Sequence, residues 1–324
     1  MKKAVCLVLV FAMASLLFCG CSPKTYSKTL IYFDTVVKLS SDSEEVLQKS
    51  EELCIKYDNL FSKTNEQSDI YKINSCGKAT VDNATVEIIR AALEYSRITE
   101  DAFSIKLGAL SELWNFTSLN PKKPDDKKIE KALRLAKKGE IKVEDNKVSV
   151  PQGVKIDLGG IAKGYIAEKI AEIYRENNAT GIIDLGGNIL AVGEKKTKEN
   201  YKIGIKNPLK TQETFAIVEI PEGSVVTSGN YERGFTLDGE RYHHILDLKT
   251  GRPVKNGLSS VTVISKNSTD GDALSTALFC MGEEKGREFL EKLSGIEAVF
   301  IDEKGECSFT SGLEVVDGNF VLKE

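Results

Sequence analysis

One five-residue phrase occurs twice in this chain. Ile156-Asp157-Leu158-Gly159-Gly160 returns as Ile183-Asp184-Leu185-Gly186-Gly187, 27 residues further on. Between the copies, Ala162, Tyr165, Ile166, Ile170, Ile173 and Tyr174 recur at helical spacing, so residues 161–177 predict an amphipathic helix. A strand, a glycine pair, a helix, a second strand and a second glycine pair have the length of a crossover unit. With the two strands parallel, both glycine pairs would share one sheet edge, where ligands gather in open sheets.

The rest of the chain alternates in a similar way. Leu30–Leu39, rich in Ile, Tyr, Phe, Thr and Val, predicts a strand. Helical spacing covers Ser43–Phe61 and Thr85–Thr99 and continues through Leu107–Trp114. Asn120–Lys128 reads as a surface loop leading into a helix from about Asp125 to Lys138. A hairpin turning at Asp145-Asn146 is expected within Ile141–Val150. Short strands are expected near residues 201–206, 215–220, 224–228, 232–237 and 241–246. Ser259–Ser265 predicts a strand feeding a helix over Thr269–Cys280, then a helix at Glu283–Leu293 and a β-rich tail. No domain-sized linker interrupts the series, which predicts one α+β domain of two intimately joined halves with mixed and antiparallel sheets.

The N-terminus has a different character. Lys2 and Lys3 precede an apolar run from Ala4 to Phe18, short for a membrane span and of the right shape for a secretory signal. The run ends in Phe18-Cys19-Gly20-Cys21-Ser22, which resembles a bacterial lipobox. That resemblance implies a lipoprotein signal peptide over 1–20, acylation of Cys21, a tether over 21–28 and a folded domain over 29–324. Acyl chains on Cys21 would hold the protein at the outer face of the cytoplasmic membrane. Of the seven cysteines, Cys54, Cys76, Cys280 and Cys307 remain in the domain. None is spaced as C-x-x-C, so zinc is not indicated, and both free thiols and disulfides fit. The net charge of −4, with Lys and Glu scattered, lacks the electrostatic footprint of a nucleic-acid binder.

Four clusters could carry chemistry. In Asp157-Leu158-Gly159-Gly160-Ile161-Ala162-Lys163-Gly164, the glycines permit close backbone approach and the helix start offers N–H groups to a phosphate, with Lys163 adding charge. The spacing fits neither a Walker A loop nor a dinucleotide fingerprint, and a ligand-free tight turn uses the same residues. In Thr269-Asp270-Gly271-Asp272-Ala273-Leu274-Ser275-Thr276, Asp272 and Thr276 share a helix face as hard oxygen ligands suited to magnesium, while Asp270 suits helix capping. His243 and His244, the two histidines of the chain, stand side by side in a strand and so must face opposite ways. Val226–Arg233 reads as a turn carrying hydroxyls.

Taken in order, DLGGIAKGY, GGNILAVG, VTSGNYERGF, YHHILDLKTGRPV and SVTVISKNSTDGDALSTALFCMG resemble the ApbE family, the FAD:protein FMN transferases. Weaker likenesses at FDTVVKL, FSKTNEQSDIYKINS and DAFSIKLGALSELWNF extend it over about residues 30–285. The resemblance implies Mg2+ held by the Gly160 carbonyl, Asp272 and Thr276, with Ser275 adjacent. It implies FAD as substrate, contacted by Asp157 and Lys163 and lined by Phe33, Thr64, Ala102, Phe103, Ser104 and Ile245, with His244 beside the pyrophosphate. This chain departs from the family at Ser104 (usually Asp), Phe33 (usually Met) and Thr64 (near a usual aromatic).

The implied reaction moves FMN from FAD onto a Ser or Thr hydroxyl of an exported or membrane flavoprotein subunit, such as those of sodium-pumping quinone reductase or Rnf-type complexes, and releases AMP. Lys163 and the metal would neutralise charge on the phosphoryl oxygens. Asp272 or His244 would take the hydroxyl proton. Attack by water would make the site an FAD pyrophosphatase, and loss of the metal geometry would leave a flavin-binding lipoprotein.

Overall fold

The computed structural model describes residues 24–195 and 197–323. The expected signal peptide and Cys21 lie outside the described residues.

The chain begins with β1 (Tyr26–Tyr32) and β2 (Thr35–Ser41), an antiparallel hairpin where the sequence suggested one strand. The turn is made by Phe33 and Asp34 at φ 56° and 55°, both left-handed, as a two-residue hairpin turn requires. Tyr26–Lys28, expected as tether, pair with Leu39–Ser41. Then follow α1 (Glu44–Phe61), α2 (Asp69–Cys76), β3 (Lys78–Thr80), α3 (Asn83–Ile98), a 3-10 turn at Ile105–Leu107, α4 (Gly108–Trp114) and α5 (Asp126–Ala136). The hairpin of β4 (Lys142–Glu144) and β5 (Lys147–Ser149) turns at Asp145, as expected.

The crossover expectation fails here. Residues 154–160 form no strand. Asn74 takes both backbone groups of Ile156 with its side-chain amide, at 2.9 and 2.7 Å. Lys155 and Asp157 bond to Gly108 and Ile105. A segment whose backbone is satisfied in this way has nothing left to offer a sheet. At Gly108 an added Cβ would lie 2.7 Å from the Lys155 carbonyl, so glycine is what lets these two segments meet. After α6 (Ala162–Glu176), the second copy of the phrase does form a strand, β6 (Gly181–Leu185), and it pairs antiparallel to β2 and to β7 (Asn188–Val192).

The remaining elements are β8 (Tyr201–Lys206), β9 (Thr214–Ile220), β10 (Gly223–Gly229), β11 (Gly234–Leu237), β12 (Glu240–His243), β13 (Leu246–Asp247), β14 (Arg252–Pro253), β15 (Leu258–Ser265), α7 (Ser268–Met281), α8 (Glu283–Leu290), β16 (Ile296–Asp302), β17 (Cys307–Phe309), β18 (Leu313–Val316) and β19 (Asn319–Leu322). An eight-stranded sheet in the order β1-β2-β6-β7-β10-β15-β16-β17 is antiparallel throughout. A four-stranded sheet, β18-β19-β9-β8, contains one parallel pair. Strand alternation assigns the two faces of the large sheet. Val263, Ala298 and Phe300 pack with Leu274, Leu278 and Phe279 of α7, while Ile264, Val299 and Ile301 pack with Ile203, Val218 and Ile220 of the small sheet. Helices on one face and a sheet on the other give the α+β architecture the sequence predicts.

Candidate functional site

α6 and α7 cross at a point set by one glycine. A Cβ on Gly164 would lie 2.2 Å from the Ser268 carbonyl and 2.7 Å from the Asp272 Cβ, so only glycine allows this approach. The contact brings the Gly164 N–H to Asp272 Oδ2 at 2.9 Å. Ile161, at the cap of α6, supplies no side-chain acceptor, and the buried Asp272 serves one of the open N–H groups of that first turn from the neighbouring helix.

The other Asp272 oxygen faces Lys163, whose Nζ lies 3.5 Å from Oδ1 and 3.4 Å from the Gly159 carbonyl. A cation thus already sits between a glycine-pair carbonyl and the Asp272 carboxylate. Thr276 stands one turn along α7. A Cβ on Gly160 would lie 3.3 Å from Thr276 Oγ1 and 3.2 Å from the ring of Phe103. Ser228, at the end of β10, ties the hydroxyls together, 3.2 Å from Thr276 Oγ1 and 2.9 Å from Ser275 Oγ. Gly160, Asp272, Thr276 and Lys163 therefore converge. Among the described residues no group of three or more His, Cys, Asp or Glu side chains gathers in this way. The donors here are one carboxylate and neutral oxygens. That set fits Mg2+, which binds through one or two carboxylates and keeps positions for water and phosphate oxygens.

Asp157 borders this corner. Its Oδ1 accepts from Gly159 N–H at 2.9 Å and its Oδ2 from Lys63 Nζ at 2.8 Å. Burial alone would raise its carboxyl, but Lys63, the Gly159 N–H and Ser111 outweigh that and hold it below the usual range. Lys63 had no place in the sequence reading. Its neighbour Thr64, expected at the cofactor, is exposed and lies 3.3 Å from Ser62 Oγ.

The strand β12 ends at His243, so His244 lies just beyond it rather than beside it in one strand. His243 is buried, with Nε2 2.8 Å from the Val254 carbonyl and its ring edge-on to Phe279. His244 is half-buried, and its Nδ1 lies 3.3 Å from the Arg233 carbonyl. Burial, with the charges of Arg233 and Lys163, pushes the His244 imidazole down to about 3. It is therefore neutral at physiological pH.

The remaining expected residues divide. Phe103 is buried against Tyr95 and reaches Gly160 from the end of α3, and Ala102 precedes it, half-buried. Ser104 caps the 3-10 turn, its hydroxyl accepting from Lys106 N–H at 3.4 Å, which is a structural task. Phe33 forms the β1–β2 turn, its N–H bonded to Asp58, and the adjacent Asp34 carbonyl accepts from Arg233 at 3.1 Å. Ile245 does not open onto the polar corner. Its side chain packs among Val254, Leu258 and Leu274 in the core, where an apolar residue gains most from leaving water. Asp270 accepts a hydrogen bond from the Tyr95 hydroxyl, and Asn267 rather than an acid caps α7. A cavity of about 370 Å³ lined by Trp114, Tyr242, Asp247, Arg252, Lys255 and Cys280 contains none of the expected site residues.

Glu232 is the acid that sequence reasoning passed over. It lines a cleft of about 140 Å³ with Gly186, Gly187, Thr227, Tyr231 and Lys206. Its side chain is exposed at the cleft wall, with the charges of Lys163, Lys206 and Arg233 in its surroundings. The only hint in the sequence was its place in a turn otherwise noted for hydroxyls.

The sequence pattern of the ApbE family matches residues 30–300. An FAD:protein FMN transferase of Klebsiella pneumoniae (strain 342) is 35% identical over 295 residues, covering 89% of this chain and 92% of that protein. One from Treponema pallidum (strain Nichols) is 31% identical, covering 94% of this chain and 88% of its own. The crystal structure of the ApbE protein from Thermotoga maritima superposes with a TM-score of 0.83 at 34% identity, covering 89% of this chain and 97% of that one.

Proposed function

This chain belongs to the ApbE family, and from that premise we propose that it is an FAD:protein FMN transferase acting at the corner between α6 and α7. It moves FMN from FAD to a Ser or Thr hydroxyl of an exported or membrane flavoprotein subunit, of the quinone-reductase or Rnf type, and AMP leaves. Acyl chains on Cys21 tether it to the outer face of the cytoplasmic membrane.

The observation that carries this reading is the Lys163 ammonium set between the Gly159 carbonyl and Asp272 at the start of α6. A helix N-terminus, a lysine and a cation-binding carboxylate meet there, which suits a diphosphate. Gly160, Asp272 and Thr276 would hold Mg2+, which when bound supplies charge neutralisation and a template for the phosphoryl oxygens. Lys163, released from Asp272, would turn its charge to the same oxygens. Asp157, fixed by Gly159 and Lys63, and Phe103, beside Gly160, would position the dinucleotide. His244, neutral and set beside Lys163, would donate or accept a hydrogen bond at the pyrophosphate without carrying charge.

The test is to incubate the protein lacking residues 1–20 with FAD, Mg2+ and a purified Rnf-type flavoprotein subunit. Covalent flavin on that subunit, seen as fluorescence in a denaturing gel, is the expected result. FMN and AMP without a labelled subunit would make the protein a pyrophosphatase. Bound but intact FAD would make it a carrier.

A further inference from the structure

Thr276 can serve a cation only through a lone pair of its hydroxyl oxygen, so the direction of its one proton decides whether the corner is ready for an ion. A helical threonine can send that proton back to the carbonyl four residues earlier. In α7 that carbonyl belongs to Asp272. It already accepts the Ser275 hydroxyl at 3.1 Å, besides the backbone N–H that the helix gives it.

Ser228 offers another outlet. β10 pairs antiparallel with β15, and the register sets Ser228 opposite Val261, whose side chain packs with Leu274 and Leu278. Residues directly opposite share a face of the sheet, so Ser228 is directed at α7. Its Oγ lies 3.2 Å from Thr276 Oγ1 and 2.9 Å from Ser275 Oγ. Three hydroxyls and one carbonyl thus stand in a row, and each hydroxyl has a single proton to donate. The carbonyl can only accept, and this fixes the sense of the row. Ser275 donates to the Asp272 carbonyl, Ser228 donates to Ser275, and Thr276 donates to Ser228. The lone pairs of Thr276 Oγ1 are then left free, with the Gly160 backbone close by: a Cβ added there would meet that oxygen at 3.3 Å.

We propose that Ser228 is a positioning residue of the cation corner, taking the Thr276 proton so that the threonine oxygen presents its lone pairs to the ion. Ser275 and the Asp272 carbonyl set the direction. This inference rests on the transferase reading above, in which Gly160, Asp272 and Thr276 hold Mg2+. Ser228 acts through Thr276 and not on the ion, as the groups behind a metal ligand do. Ser275 acts one step further back. Without its hydroxyl, Ser228 has only Thr276 to receive its own proton, the bond between them reverses, and a Thr276 lone pair is consumed. A serine of the hydroxyl-bearing Val226–Arg233 segment thereby gains a task at the corner.

The experiment titrates Mn2+ into the protein lacking residues 1–20, following the electron paramagnetic resonance signal of the free ion. The variants are S228A, S275A, T276V and the doubles S228A/T276V and S275A/T276V. The expected result is an Mn2+ affinity about tenfold weaker in each single variant. In the T276V background neither serine substitution should weaken it further, because the row works through that one oxygen. With FAD and the Rnf-type subunit, the Mg2+ concentration for half-maximal AMP release should rise by a similar factor in S228A, and the lost turnover should return at saturating Mg2+. FAD affinity measured without metal, by fluorescence quenching, should stay near wild type in S228A. Wild-type Mn2+ affinity in S228A or in S275A, with T276V weakened, would overturn the inference alone. An S228A loss of the same size with and without the Thr276 hydroxyl would replace it with a general structural role. A wild type that binds no Mn2+, or a T276V variant that binds it as tightly as wild type, would overturn the cation corner of the transferase reading and this inference with it.

Discussion

The Gly164 amide donates to Asp272 across the junction of two helices at 2.9 Å, so the carboxylate at the cation corner is also a fixture of the fold. Removing the side chain and removing only its charge should therefore have different consequences. Asp272→Asn keeps an acceptor for the Gly164 N–H, and its stability should stay near wild type while Mg2+-dependent turnover falls by about 10²-fold or more. Asp272→Ala leaves a buried N–H without a partner and should lose about 1–3 kcal/mol as well. Urea titrations beside Mg2+-dependent AMP release separate the two effects.

Gly164→Ala tests the helix approach itself. With its Cβ 2.2 Å from the Ser268 carbonyl, the substitution forces α6 and α7 apart. A loss of about 1–3 kcal/mol or more is expected, with weaker FAD binding because the Lys163 end of α6 moves. Thermal unfolding and flavin fluorescence quenching measure both.

Asn74→Ala should undo the segment that carries Asp157. It strips the paired hydrogen bonds from the buried backbone of Ile156. Each buried group left unpaired costs about 1–3 kcal/mol, so the variant should unfold at lower urea and bind FAD less tightly. Unchanged stability would show that water replaces the amide there.

The Lys63–Asp157 pair predicts a pH dependence. Asp157 has its carboxyl held below its ordinary value of 3.8, so the unfolded chain binds its proton more readily than the folded one. The stabilisation is present above that ordinary value and is lost as pH falls through the lowered folded value. Lys63 is largely exposed, which screens the pair, so K63M should cost about 1 kcal/mol or less near neutral pH. The difference between K63M and wild type should close as pH falls through that lowered folded value. A gap that persists in acid would mean that Lys63 stabilises through packing of its stem.

What the sequence disclosed, and what it hid, follows from where the determining interactions lie. Asp272 and Thr276 were legible because helical spacing alone puts them on one face, and Gly160 and Lys163 because a glycine pair before an amphipathic helix is a local signal. The β1–β2 turn was hidden because Phe33 and Asp34 adopt left-handed backbone without a glycine to announce it. The first copy of the repeated phrase was misread as a strand because its backbone partners are the side chain of Asn74 and the loop at Ile105–Gly108, far away in sequence. Ile245, assigned to the flavin pocket by the family resemblance alone, packs in the core among Val254, Leu258 and Leu274. Lys63 and Glu232 gave no pattern at all: each is one charged residue in a polar loop, and only the fold brings Lys63 to Asp157 and Glu232 to the cleft beside Gly187.

The account depends most on a single cation held between the Gly160 carbonyl, Asp272 and Thr276. Crystals grown with FAD and Mn2+, with data collected at the manganese edge, measure this directly. The expected result is one anomalous peak within about 2.5 Å of oxygens from all three residues, with Lys163 moved from Asp272 to the diphosphate. A peak elsewhere, or FAD bound with the Lys163–Asp272 pair intact and no peak beside it, would contradict the account.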